Sequence, residues 1–190
     1  MNSATQGCKG QGEIDQGNTH MTRIFALLLA ASVALSACGG SSEPQLGADG
    51  KPLPRVYRIA PGSVGKIEYR VLDSMNTLRA ANGATPLALS AALNAAAATH
   101  SRDLSVQNRP WHFGSDGSSP LDRVARTGYP GVMLGENISE TYETELETLA
   151  AWMELPDTRS VILDPAAVNM GFAYYQDSNG KIWWTLVTGS

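Results

Sequence analysis

Apolar and polar positions alternate in two different periods along this chain. Between Val64 and Asn82 the apolar residues are Ile67, Val71, Leu72, Met75 and Leu78. Their spacing lines one face of a helix, and Asn82-Gly83 supplies its end because Gly takes the left-handed cap without strain. Ser90 is placed to cap a second helix with Leu93, Ala96, Ala97, His100 and Leu104 on one side. Its Ala91–Ala98 stretch is nearly all small, which lets a helix lie close against a neighbour. Ser119-Pro120 reads as the N-cap and first position of a short helix closed by Gly128. A short extended segment follows at Gly135–Glu140, and helical spacing returns from Thr144 to Met153. Near the end the period drops to two: Val168, Met170, Phe172 and Tyr174, then Ile182, Trp184 and Leu186, around Asn179-Gly180. That is the pattern of a hairpin. Helices outnumber strands and the strands cluster late, so the expected class is α+β, with antiparallel strands covered by helices.

The first third of the chain has another character. Residues 1–20 are rich in Gly, Gln and Asn without apolar period, and read as an N-terminal extension, with Met21 a candidate start. From Met21 a basic residue, an apolar run and small residues lead to Leu35-Ser36-Ala37-Cys38, the layout of an export signal over 21–37 ending in a lipobox. The alternatives are a simple cleaved signal or a buried core helix; the run Ile24–Ala37 is shorter than the roughly 20 residues a membrane span needs. Residues 38–61 then form a lipidated Cys and a flexible tether, and 62–190 the folded domain. Cys38 is the expected lipidation site, with membrane as partner. Of the two cysteines, Cys8 lies upstream of the signal and Cys38 would carry the lipid, so the domain has no disulfide available and stands on packing.

The chain carries 14 basic and 18 acidic residues, net −4. This mild acidity without a basic patch excludes nucleic acid as an expected partner. Glu140, Glu143, Glu145 and Glu147 form one local acidic cluster, expected to be a solvated helix start that suits the helix dipole.

The candidate chemistry sits between His112 and Ile138. His112 lies in a turn-rich loop with Gly114, Asp116 and Gly117, where it either lines a cleft or fixes the loop. Glu136, between Gly135 and Asn137, needs a partner if buried. His112 or backbone donors are the natural partners. His100, on the Ala-rich helix, reads as a satisfied, partly buried histidine. Asp116 and Asp122 suit turn and cap hydrogen bonds; Arg123 and Arg159 are expected to tie loops to the core, and Trp152, Trp183 and Trp184 to pack. No Gly-x-Ser-x-Gly turn is present, and the domain has no Cys nucleophile, so an enzyme is the weaker expectation.

Leu72–Gly83, Ala97–Leu104, His112–Pro120, Gly135-Glu136-Asn137-Ile138, Trp152-Met153, Arg159–Pro165, Gly171 and Trp183-Trp184-Thr185 occur in an order that resembles the CAP superfamily (cysteine-rich secretory, antigen 5 and pathogenesis-related proteins), in its bacterial disulfide-free branch. The resemblance implies a three-layer α-β-α sandwich with a mainly antiparallel central sheet and a polar cleft, in which two His and two Glu of many members hold a divalent metal. His112 matches the first His and Glu136 the first Glu, with Asn137 beside it. Thr158 stands where the second His would be, and Leu155 where the family has Ser or Glu. Two ligands remain where zinc wants about four, so no cofactor is expected and zinc is disfavoured. The expected function is a lipid-anchored, exported module, at the outer membrane or cell surface, binding an envelope lipid, glycan or protein. The alternative is a hydrolase or metal-assisted enzyme using His112 and Glu136.

Overall fold

The computed structural model describes residues 46–51 and 56–190. The extension 1–20, the leader 21–37, Cys38 and most of the tether lie outside these residues. Residues 46–51 contain a turn closed by a hydrogen bond from Gly47 N to Lys51 O (2.8 Å).

Helix α1 spans Val64–Ala81 and ends where Gly83 takes φ +72°. A two-residue strand β1 (Ala88–Leu89) leads to α2 (Ala91–Gln107), whose N-cap Ser90 accepts from Leu93 N (3.4 Å). Helix α3 (Pro120–Arg126) opens with a reciprocal box in which Ser119 and Asp122 cap each other's backbone N–H groups. Strand β2 (Met133–Ser139) precedes α4 (Glu145–Glu154), which opens with the same device from Thr144 and Glu147. Helix α5 (Pro156–Leu163), strand β3 (Asn169–Gln176) and strand β4 (Ile182–Gly189) complete the chain. The sheet order is β1-β3-β4-β2; β1 is parallel to β3 and the other pairs are antiparallel. The class and the mainly antiparallel sheet expected from the sequence are both present. No helix among the described residues is long and apolar enough to cross a membrane.

Strand alternation builds two cores. Met170 and Phe172 of β3 and Ile182, Trp184 and Leu186 of β4 face Ile67, Val71 and Met75 of α1, Leu149 and Trp152 of α4 and Ile162 of α5. On the other face Ala173 and Val187 meet Leu93, Ala96 and Ala97 of α2 and Val124 of α3. The sheet therefore separates α1, α4 and α5 from α2 and α3. The small residues of α2 serve close approach, as their run implied. A Cβ on Gly171 would lie 2.1 Å from Leu93 C and 2.2 Å from Asn94 N, backbone that has no room to yield. Gly171→Ala is expected to cost about 3 kcal/mol, read as a lower urea midpoint; an unchanged midpoint would contradict this packing.

Three features differ from the sequence reading. Glu145, expected in a solvated cluster, is 3% exposed because the first turn of α4 faces α1, where Arg70 Nη2 meets its Oε1 at 2.7 Å. Part of the segment assigned to the tether is docked: Gln176 accepts from Ile59 N (3.0 Å) and donates to Tyr57 O (2.9 Å). Strand β1 and helix α5 were not anticipated.

Candidate functional site

Paired residues on neighbouring antiparallel strands point to the same face of a sheet. Glu136 pairs with Val187 and Asn137 with Leu186, so Glu136 faces α2 and α3 whereas Asn137 faces the larger core. The Glu136 side chain is 3% exposed. Its Oε1 lies 2.9 Å from His112 Nδ1, and its Oε2 accepts from Arg123 Nη2 at 2.7 Å. Arg123, itself buried, also donates from Nη1 to Ser118 O (3.2 Å). The carboxylate is thereby neutralised by a fixed guanidinium and used to orient an imidazole. Because a carboxylate accepts, His112 donates from Nδ1; in the neutral ring this leaves Nε2 as a lone pair on a side chain 53% exposed. His112 is thus held by Glu136, and its half-exposed ring is not among the residues that line the cavity beside its loop.

His100 is the member of this cluster that the sequence reading placed elsewhere. It is fully buried, where partial burial was expected, and only half satisfied. Its Nε2 donates to Trp111 O (3.1 Å) and lies 3.7 Å from Glu136 Oε1, while Nδ1 has no hydrogen-bond partner among the described residues. Burial holds the His100 pKa below the ordinary histidine value; Glu136 pulls it up, Arg123 pushes it down, and the Trp111 carbonyl and Asp103 add smaller upward pulls. Between the folded and unfolded pKa values the unfolded chain binds more protons. This stability is therefore intact above about pH 6.5 and declines as pH falls below it. Urea midpoints should drop between about pH 7.5 and about pH 5.5, and His100→Gln should flatten that drop. Equal slopes in the two proteins would contradict the assignment.

The loop carrying His112 is internally tied. Asp103 of α2 accepts from Ser115 N (2.8 Å) and Ser115 Oγ (2.5 Å). Although burial pushes its carboxyl up, these bonds and one from Gln107 outweigh it and hold the pKa below the usual range. Asp116 accepts from Ser118 N (2.9 Å) and Arg126 Nη1 (2.7 Å), and the Ser118 hydroxyl and amide, then Arg126, hold it far below that range. Asp122 caps α3. Both aspartates thus have the turn and cap roles their positions suggested. Beside the loop is a cavity of about 210 Å³ lined by Thr99, Asp103, Ser115, Asp116, Arg123 and Arg126, among others.

The other half of the expected site lies apart. Thr158 Oγ1 donates to Trp152 O (2.6 Å), and Thr158 O accepts from Asn137 Nδ2 (2.8 Å). Asn137 thus ties β2 to α5 instead of lining a cleft with Glu136. Thr158, Leu155 and Tyr142 line a separate cavity of about 300 Å³. Arg159, expected to tie a loop to the core, lies within α5 and donates from Nη2 to Glu154 O (3.4 Å), an exposed local bond. The residues present do not fit a zinc ion. Glu136 Oε2 already faces a guanidinium, the Thr158 hydroxyl is turned to its own backbone, and among the described residues no group of three His, Cys, Asp or Glu is arranged to hold a metal.

A model of the CAP, or cysteine-rich secretory protein, family matches residues 72–188. The uncharacterized protein YkwD of Bacillus subtilis (strain 168) is 32% identical over 124 residues, 65% of this chain and 48% of that protein. The chain spans about half the length of this curated relative. Among solved structures, an extracellular protein containing an SCP domain from Bacillus anthracis superposes with TM-score 0.62 at 19% identity, covering 70% of this chain and 44% of that one. An outer surface protein of Borrelia burgdorferi gives 0.58 at 14%, covering 64% and 90%. A cysteine-rich secretory protein of Staphylococcus aureus gives 0.59 at 14%, covering 76% and 44%. These structures share the α+β fold found here.

Proposed function

Since this chain belongs to the cysteine-rich secretory protein family, we propose that it acts as a lipid-anchored, extracytoplasmic module that binds an envelope component without catalysing its turnover. The observation that carries this reading is the closed state of Glu136: one oxygen is held by buried Arg123 and the other by His112. A carboxylate so engaged orients and neutralises, with both oxygens already bonded to protein donors. The Thr158 hydroxyl, in the position of the second family His, bonds its own backbone. What remains is a rigid, polar surface on a loop fixed to two helices, suited to recognition.

A hydrolase is the second reading, favoured by one feature. His112 Nε2 is an exposed lone pair on a ring oriented by a carboxylate, which is half of a general-base arrangement. Among the described residues no hydroxyl hydrogen-bonds it, so a nucleophile would have to come from water.

Export and anchoring rest on the leader-like run ending at Cys38, with Gly39 favouring outer-membrane sorting in a diderm cell. The similar proteins described as extracellular or outer surface fit that placement. Cys38→Ser is expected to move the protein from the membrane to the aqueous fraction; continued fractionation with membranes would overturn the anchor. The binding role is tested by mixing the full chain with washed envelope fragments. The protein should pellet with them and release no soluble product, and His112→Ala should leave both results unchanged. Product release that disappears in His112→Ala would establish the hydrolase instead.

A further inference from the structure

His112 is flanked by two large aromatic side chains that reach solvent. Trp111 is 41% exposed and Phe113 is 48% exposed. Scattered exposed apolar residues are ordinary on any surface, but this pair is held in place. The rings meet edge-on with centroids 5.5 Å apart, and the Arg109 guanidinium lies 3.8 Å over the Trp111 ring. Trp111 Nε1 donates to Phe113 O (2.5 Å). The same carbonyl accepts from Gln107 Nε2 (3.0 Å), which also donates to Asp103 Oδ2 (2.7 Å). Asp103 is a wall of the 210 Å³ cavity. Aromatic platform and polar cavity are thus one hydrogen-bonded unit. Fixing large side chains without burying them loses rotamer entropy for little apolar burial, and it leaves a surface already ordered for a ligand.

The cavity states what that ligand offers. Asp103 and Asp116 are acceptors, and the hydroxyls of Thr99, Ser115 and Ser118 lie on or beside its wall. Arg126 supplies a donor. Buried Arg123, which also lines the cavity, keeps an Nε–H with no partner among the described residues. Two carboxylates oppose an anionic ligand, and Arg109, Arg123 and Arg126 oppose a cationic one. A lipid tail would take these polar groups out of water and bring no partner for the Arg123 Nε–H. A neutral ligand whose hydroxyls both donate and accept, and whose ring has an apolar C–H face, meets every condition.

We infer that Trp111, Phe113 and the adjoining cavity form a saccharide subsite that takes a neutral pyranose unit of an envelope glycan, with the sugar ring stacked on Trp111 beside Phe113 and its hydroxyls in the cavity. The inference rests on the binding-module reading and gives it a ligand class.

The test titrates the full chain, in detergent micelles, with β-1,4-linked tetramers of N-acetylglucosamine and of glucose at millimolar concentrations, by calorimetry and tryptophan fluorescence. Trp152, Trp183 and Trp184 are buried, so an emission change on binding reports Trp111. At least one tetramer should bind saturably and displace the protein from envelope fragments. Trp111→Ala should weaken binding about tenfold or more, the loss of about 1.4 kcal/mol. Trp111→Phe should keep most of the affinity while losing the emission change. The site is at the surface, so circular dichroism should show both variants folded. If neither tetramer binds, or if Trp111→Ala binds as the unaltered chain does, while envelope fragments still pellet the protein, the saccharide assignment is overturned and the binding module stands. If envelope fragments fail to pellet the unaltered chain, the binding module itself falls, and the subsite with it.

Discussion

Replacing Arg79 by leucine is expected to lower stability by about 3–5 kcal/mol, which for a domain of this kind is a large part of the total. Arg79 lies near the end of α1 and is fully buried. Its Nε donates to Thr85 O (2.8 Å), Nη1 to Ile162 O (2.8 Å) and Asp164 O (2.9 Å), and Nη2 to Ala167 O (2.8 Å). One side chain thus satisfies four backbone carbonyls, one in the connection into β1, one in the last turn of α5 and two in the connection into β3. Burial lowers its pKa and the Asp164 charge partly restores it, so the guanidinium is held by carbonyl dipoles more than by any ion pair. Leucine fills part of the volume but leaves four acceptors without donors, each costing about 1–3 kcal/mol before relaxation and water recover some of it. Arg79→Lys should fall between, because an ammonium cannot span the same fork. Urea unfolding measures the effect; a loss below about 1 kcal/mol for leucine would mean that these carbonyls find other donors.

The second large effect belongs to the site. Glu136→Ala leaves Arg123 as an unpaired charge in a buried position, and the expected cost is about 3–5 kcal/mol. Arg123→Met leaves Glu136 with His112 and the more distant His100, so its cost should be somewhat smaller. The double variant Glu136→Leu with Arg123→Met should recover much of either loss, since an apolar pair of similar size removes both charges together. Additive losses would show that the two residues do not act as a pair, whatever their 2.7 Å separation.

Much of this arrangement was legible in the sequence, through rules that act locally. Cap residues and periods of 3.6 located α1 to α4, because Ser90, Ser119 and Thr144 bond backbone N–H groups within their own first turns. Period-two alternation located the hairpin and sorted its two faces. Strand β1 escaped because two residues carry no period, and it exists only through pairing with β3. Helix α5 escaped because Leu155-Pro156 reads as a break, although Pro is at ease in a first helical turn. At the site, Glu136 and its need for a partner were evident from one residue. The grouping of Glu136 with Asn137 and Thr158 was not supported, because neighbours on a strand point to opposite faces and the sheet parts Glu136 from the other two, which bond each other. That signal was present in the alternation of β2. His100 was found to be buried by its helical face, yet its approach to Glu136 follows from α2 packing on the face of the sheet that Glu136 occupies, a long-range consequence that no local period encodes. Arg79 gave no sign, since a basic residue near a helix C-terminus ordinarily faces water.

The central claim is that Arg123 closes the Glu136 carboxylate, so that this surface holds an envelope ligand and no metal. Native mass spectrometry of the full chain, released from the membranes of its export host and offered zinc, tests it most directly. The expected spectrum shows the lipidated chain, alone or with a sugar-containing adduct, and no stoichiometric zinc. One zinc per chain, lost in His112→Ala, would contradict the claim.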